Sequence, residues 1–168
     1  MSAAPRARVL ADPPATEAAG AALGRAWVDC GAPALVVTLE GDLGAGKTTL
    51  VRGLLRGLGA RGAVRSPTYT LIETYRLPGD IAVQHLDFYR LDSWEAAEHL
   101  GFRDLLGPRV LVAVEWASRV GRLLEEADVN LTLASAGTGR TLTLAARTAA
   151  GEALVAAWSA ALPAADNA

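Results

Sequence analysis

Apolar residues fall along this chain in runs of two periods, and the alternation of those periods predicts an α/β order of elements. Residues 34–39 and 110–114 are short, almost wholly apolar runs rich in Val, which suits strands buried on both faces. Residues 47–58 instead place Leu50, Val51, Leu54, Leu55 and Leu58 at spacings of three and four, the pattern of an amphipathic helix, with Gly59 to end it. Residues 69–77 and 81–86 flank Pro78-Gly79-Asp80 and read as a β-hairpin. Residues 129–133 and 141–145 read as late strands around a turn at 135–139. Three further helices are expected. One is capped by the Thr16 hydroxyl and runs to about Trp27, ending near Cys30-Gly31; one runs from Ser93 to Leu106 with Gly101 weakening its middle; the last covers residues 153–162.

Fully apolar strands belong at the centre of a parallel sheet and hairpins at its antiparallel margin, so the expected architecture has helices on both faces of a mixed sheet. Neither an internal repeat nor a Ser- or Pro-rich linker interrupts the 168 residues, which read as a single domain over 1–168 with tails at about 1–10 and 163–168. A hydrophobic fraction of 51% against 20% charged residues is enough apolar surface for a packed core and argues against a disordered chain.

Charge narrows the partners. Sixteen basic and eighteen acidic side chains leave a net charge of -2, which offers no positive field to a phosphate backbone, so autonomous nucleic-acid binding is disfavoured. The one cysteine, Cys30, cannot form an internal disulfide and reads as a small packed side chain. Charged residues or glycines break every run that approaches the length of a membrane span, and Asp12, Pro13, Pro14 and Glu17 interrupt any signal-peptide core, so a cytoplasmic setting is expected.

The strongest chemical signal lies between the first apolar strand and the amphipathic helix. Gly41-Asp42-Leu43-Gly44-Ala45-Gly46-Lys47-Thr48 matches G-x-x-x-x-G-K-[ST] in full and in the required strand-loop-helix context. Glycines let successive N–H groups turn toward one anion, and the following helix aims its unsatisfied N–H groups at the same place, so a polyphosphate is the expected guest. Lys47 would reach the terminal phosphates, and the Thr48 hydroxyl would ligate Mg2+. The expected fold is then a three-layer P-loop NTPase fold with a mixed, mainly parallel central sheet and an antiparallel hairpin.

A second anchor for the cation is usually a carboxylate at the end of a buried strand, and Glu115 stands there; Asp87, ending the second hairpin strand, is the other candidate. Asp87 is also placed to orient or deprotonate an attacking water. His85, two residues before it, reads as a packed strand residue and stays outside the catalytic set. All five Tyr and Phe residues lie between 69 and 102; Phe88 and Phe102 read as core, whereas Tyr69, Tyr75 or Tyr89 could form a contact surface.

Four segments in order, Gly41 to Thr49, Ser66-Pro67-Thr68-Tyr69-Thr70-Leu71, His85-Leu86-Asp87-Phe88-Tyr89-Arg90-Leu91 and Val114-Glu115-Trp116, resemble the bacterial TsaE (YjeE) family over about residues 16–140. The resemblance implies an ATPase required for N6-threonylcarbamoyladenosine at position 37 of tRNAs reading codons that begin with A. It implies a partner, the TsaD–TsaB pair that performs the transfer, with tRNA met only through that pair. Carried over by position, Gly44, Ala45, Gly46, Lys47, Thr48 and Thr49 resemble the ATP-phosphate contacts, with Trp116, Arg140 and Thr16 also beside the nucleotide. Thr48 and Glu115 resemble the magnesium ligands, and Asp87 the essential carboxylate near the γ-phosphate. The segment 66–70 resembles a switch-like loop. Two other functions share the glycine loop, a small-molecule kinase and a nucleotide-dependent binding switch; the scattered arginines after Glu115, such as Arg119 and Arg122, do not make the Arg-rich lid a kinase usually carries.

Overall fold

The α1 helix, Pro13–Asp29, begins three residues earlier than Thr16, because Asp12 accepts a bond from the Ala15 amide and Pro13 and Pro14 occupy the first two helical positions. Proline loses nothing there, since the first-turn amides lack intrahelical acceptors anyway. Thr16 is therefore not the cap; its hydroxyl donates instead to the Asp12 carbonyl at 3.4 Å. This computed structural model describes residues 4–162. The expected tail at 163–168 lies outside the described residues, while the other expected tail contains strand β1, Arg6–Leu10. Its polar-apolar mixture, with Arg6 and Arg8, hid a strand that sits at the sheet edge, where only one neighbour is needed.

After α1 come β2 (Leu35–Glu40), α2 (Lys47–Gly57), β3 (Ile72–Leu77), β4 (Ile81–Asp87), α3 (Trp94–His99), β5 (Val110–Glu115), α4 (Arg122–Glu126), β6 (Val129–Ala136), β7 (Gly139–Ala146) and α5 (Ala149–Ala161). The helix expected from Ser93 to Leu106 is split: Ser93 caps α3, Gly101 turns left-handed at φ 81°, and residues 102–105 form a 3-10 turn. The strand expected from Tyr69 starts only at Ile72, after Leu71 at φ 67°. The last helix starts at Ala149 because the Thr148 hydroxyl accepts from the Gly151 amide.

The seven strands form one sheet in the order β1-β7-β6-β2-β5-β4-β3. β6, β2, β5 and β4 are parallel, and antiparallel partners close both margins: β3 on β4, and β7 with β1 on β6. Side chains alternate across it. Leu111 and Ala113 of β5 join the core under α1, α2 and α5, whereas Val112 and Val114 join a second core with Phe88, Phe102 and Leu123. Glu115 and Asp87, continuing the odd-numbered series, therefore emerge at the strand ends on the α1-α2 face.

That face is held unusually tightly. A Cβ at Gly20 would lie 2.0 Å from the Leu50 carbonyl oxygen, and one at Gly53 would lie 1.9 Å from the Glu17 carbonyl oxygen. The two helices thus meet backbone to backbone, and the glycines that cost helix propensity are what permit it. The Trp158 indole of α5 braces the pair by donating to the Ala19 carbonyl at 2.9 Å.

Gly53→Ala should lower the free energy of unfolding by about 3 kcal/mol, because the methyl group meets backbone and no side chain can give way. Gly107→Ala, whose new methyl group meets only Val110 at 3.9 Å, is the control. Urea denaturation of both variants checks this, and equal midpoints would show that the helices separate at no cost.

Candidate functional site

Strand β2 ends at Glu40, and the chain then folds over its own strand end. Gly41 has φ 150° and passes so close to β6 that a Cβ would sit 2.5 Å from the Leu133 carbonyl oxygen. Gly46, at φ 105°, caps α2 with no side-chain bond to its first turn. The α2 amides there are left to face an anion from outside.

Lys47 follows directly and is buried, at 5% exposure. Its ammonium donates to the Gly41 carbonyl at 2.5 Å and the Asp42 carbonyl at 3.1 Å, so the loop closes on its own lysine. Trp116, held left-handed at φ 60°, lays its ring 4.1 Å from the same nitrogen. Tyr89 stacks edge-on against Trp116 at 5.0 Å, and Arg119 lies 4.7 Å over Tyr89. Burial pushes the Lys47 ammonium below its ordinary value of 10.5, against the opposing pull of Glu115, Glu40, Asp87 and Asp42.

Two carboxylates face this lysine from the ends of adjacent parallel strands, where Asp87 and Glu115 are register partners. Both are 3% exposed. Glu115 Oε1 accepts from the Thr48 hydroxyl at 2.9 Å and pairs with His85 Nε2 at 2.9 Å. Asp87 accepts from the Tyr89 amide at 2.8 Å and from the Thr68 hydroxyl at 3.3 Å. Thr68 belongs to the segment 66–70 and is bonded at 2.8 Å to Ser66. Leu43, Lys47, Thr48, Ser66, Thr68, Asp87, Glu115 and Trp116 thus line one cleft of about 220 Å³ with the loop residues between them.

Thr16 and Arg140 lie on the other side of the loop. With Thr49 and Thr138 they line a smaller hollow of about 90 Å³, and Gly44, Ala45 and Gly46 border both spaces. Arg140 donates to the Ala45 carbonyl at 2.8 Å and the Gly44 carbonyl at 3.1 Å. A guanidinium fork on two successive carbonyls fixes two peptide planes at once, through two nitrogens held in one rigid plane. The Gly46 amide, in the same peptide unit as the Ala45 carbonyl, is thereby aimed away from Arg140.

Residues 10–142 match the family model described as "Threonylcarbamoyl adenosine biosynthesis protein TsaE". The chain belongs to the TsaE family. It is 41% identical over 126 residues to the tRNA threonylcarbamoyladenosine biosynthesis protein TsaE of Haemophilus influenzae, across 75% of this chain and 79% of that one. The protein of the same name from Bacillus subtilis is 38% identical over 105 residues, 62% of this chain and 65% of the relative. The crystal structure of Bacillus subtilis YdiB superposes with a TM-score of 0.65 and 29% identity, over 95% of this chain and 97% of that one. The mixed, mostly parallel sheet with its glycine loop is accordingly a P-loop NTPase fold.

Within this TsaE-family site the donors narrow the kind of ion that could be held. Thr48 and Glu115 bring two hard oxygens together, donors suited to a hard cation such as Mg2+ whose remaining ligands come from elsewhere. Among the described residues no cluster of three or more His, Cys, Asp or Glu could cage a metal alone. His85, read from the sequence as a packed strand residue, is buried on the same face of β4 as Asp87 and bonds Glu115. Glu40, which no motif singles out, takes the Ser118 amide at 2.9 Å and hydroxyl at 2.8 Å and so ties the β2 end to the turn after Trp116.

The direction of the Lys47 shift gives a pH dependence. A lysine whose folded value is depressed loses its proton earlier in the folded chain, so the burial penalty is present in full below the folded value and is relieved as pH rises toward 10.5. The stability difference between the parent and Lys47→Met should therefore be flat near neutrality and shift in favour of the parent as pH climbs toward 10.5. Denaturation series at several alkaline pH values check it; a constant difference would contradict the burial effect.

Proposed function

We propose that this protein is a Mg2+-dependent ATPase acting with the TsaD–TsaB pair in the cytoplasm to make N6-threonylcarbamoyladenosine at position 37 of tRNAs that read codons beginning with A. Family membership supports the place in threonylcarbamoyladenosine biosynthesis. The observation that carries the ATPase reading is the convergence of Lys47, Thr48, Asp87 and Glu115 in one cleft at the mouth of the glycine loop.

In this reading the loop amides from Gly44 to Thr49 bind the phosphates of ATP, and Lys47 leaves the Gly41 and Asp42 carbonyls for the terminal phosphates. Thr48 and Glu115 would hold Mg2+, which when bound neutralises charge developing on the phosphate oxygens. Asp87, already positioned by the Tyr89 amide and Thr68, orients the attacking water and takes its proton. Its link to Thr68 joins that step to the segment 66–70. Trp116 screens Lys47 from solvent, and Arg140 and Thr16 act from the hollow on the far side of the loop.

Partner dependence is supported by what stands around the cleft mouth. Leu43 is 92% exposed, Tyr69 81% and Tyr89 48%, an apolar rim suited to a protein surface. Tyr75 does not share in it, being half-buried against the core with its hydroxyl accepting from the Arg65 amide. With a net charge of -2, contact with tRNA through the protein pair is the more economical arrangement. Among the described residues no helix is long and apolar enough to cross a membrane.

The decisive measurement is ATP hydrolysis by the purified protein, alone and with the TsaD–TsaB pair, with Lys47→Ala as the blank. Hydrolysis should require Mg2+ and rise with the pair, and Asp87→Asn should lose at least about a hundredfold in rate while keeping ATP affinity within severalfold. Hydrolysis indifferent to the pair, together with phosphoryl transfer to an added small molecule, would replace this reading with a kinase.

A further inference from the structure

We propose that His85 is the positioning residue of the cation site: its ring fixes the Glu115 carboxylate so that one oxygen stays open to a divalent ion shared with Thr48. The inference rests on the Mg2+ role proposed above for Thr48 and Glu115. His85 lies on β4, one strand across from Glu115, with its side chain fully buried while that of Glu115 is 5% exposed. Its Nε2 stands 2.9 Å from Glu115 Oε1, and because an ionised carboxylate only accepts, Nε2 is the donor.

Both bonds to the carboxylate fall on that one oxygen, since the Thr48 hydroxyl also donates to Oε1, and Oε2 takes part in neither. The Thr48 oxygen keeps its lone pairs while donating, so Thr48 and the uncommitted oxygen of Glu115 can face the same cation. A glutamate has three rotatable side-chain bonds, and without a second anchor its carboxylate could swing away from that arrangement. His85 supplies the anchor from the neighbouring strand.

The other ring nitrogen tells against a packing role. Nδ1 is buried without a hydrogen-bond partner among the described residues. A purely space-filling residue on this face of β4 would be aliphatic, as Ile81 and Val83 are, and would strand no polar atom. The one polar contact that accounts for a histidine here is the bond to Glu115. Partners that orient a metal ligand in this way typically change metal affinity by about tenfold to a hundredfold when removed.

The test compares His85→Gln with His85→Asn. Both carry the same amide, but only glutamine is long enough to bring its nitrogen to the place of Nε2. Binding of ATP is measured by calorimetry in EDTA and then across a Mg2+ titration, with cooperative thermal unfolding confirming that each variant is folded. Expected is a Mg2+ half-saturation point raised about tenfold or more in His85→Asn and within about threefold of the parent in His85→Gln, with ATP affinity in EDTA unchanged in both. If His85→Asn does not fold, His85→Leu, which fills the space and donates nothing, takes its place with the same expectation. A Mg2+ midpoint that His85→Asn or His85→Leu leaves within twofold of the parent overturns the positioning role and leaves the ATPase reading standing. A parent whose ATP binding ignores Mg2+ overturns the ligand role of Glu115 and the proposal with it, and a parent that binds no ATP at all overturns the function proposed above.

Discussion

Three charged side chains, Lys47, Asp87 and Glu115, are buried to 5% exposure or less beside one another, and the rest of the site is arranged around keeping them so. Each ion removed from water costs several kcal/mol unless hydrogen bonds replace its hydration. None of the three forms an ion pair with another in this group. Lys47 is satisfied by loop carbonyls, Asp87 by the Tyr89 amide and the Thr68 hydroxyl, and Glu115 by Thr48 and His85. A direct Lys47–Glu115 pair would be self-sufficient. Hydrogen bonds to other groups instead hold each of the three in place without pairing it to another of them.

The sheet makes this arrangement affordable. Parallel strands β5 and β4 end side by side, and their alternation sends Ile81, Val83, Leu111 and Ala113 into the core before turning the same series polar at His85, Asp87 and Glu115. One face therefore changes from core to site along a strand with no change of geometry. The loop over β2 arrives at the same edge because β2 lies next to β5 in parallel register, Leu39 opposite Glu115.

Period and residue type made the central elements legible. Val-rich runs named the parallel strands, the three-four spacing of Leu50, Val51, Leu54 and Leu55 named α2, and the glycine spacing named the loop between them. What stayed hidden was set by contacts distant in sequence. β1 is too short for its alternation to register and is held as a strand by pairing with β7. α4 is five residues long, too short for its pattern to register. Asp12 displaced Thr16 as the cap because Pro13 and Pro14 fit the first turn of a helix. Within the site, the motif residues were legible individually, but their division between two spaces on opposite sides of the loop was not, since only the fold shows that Arg140 of β7 reaches back to Gly44 and Ala45. His85 is packed on its strand as its pattern suggested, but its bond to Glu115 stayed hidden because that partner lies on another strand.

The contact between α1 and α2 bears on how strain travels through the molecule. Helices that meet through side chains have play between them, because each rotamer can yield a little before the neighbour moves. Gly20 against Leu50 and Gly53 against Glu17 leave no such play, since main chain rests on main chain. A push delivered to the start of α2 by anything seated in the glycine loop is not absorbed locally. It passes to α1 as displacement of a stiff body, and through the Trp158 indole to α5 behind it. The helical layer behaves as an anvil, and the segment 66–70 and the turn carrying Trp116 line the cleft with the start of α2.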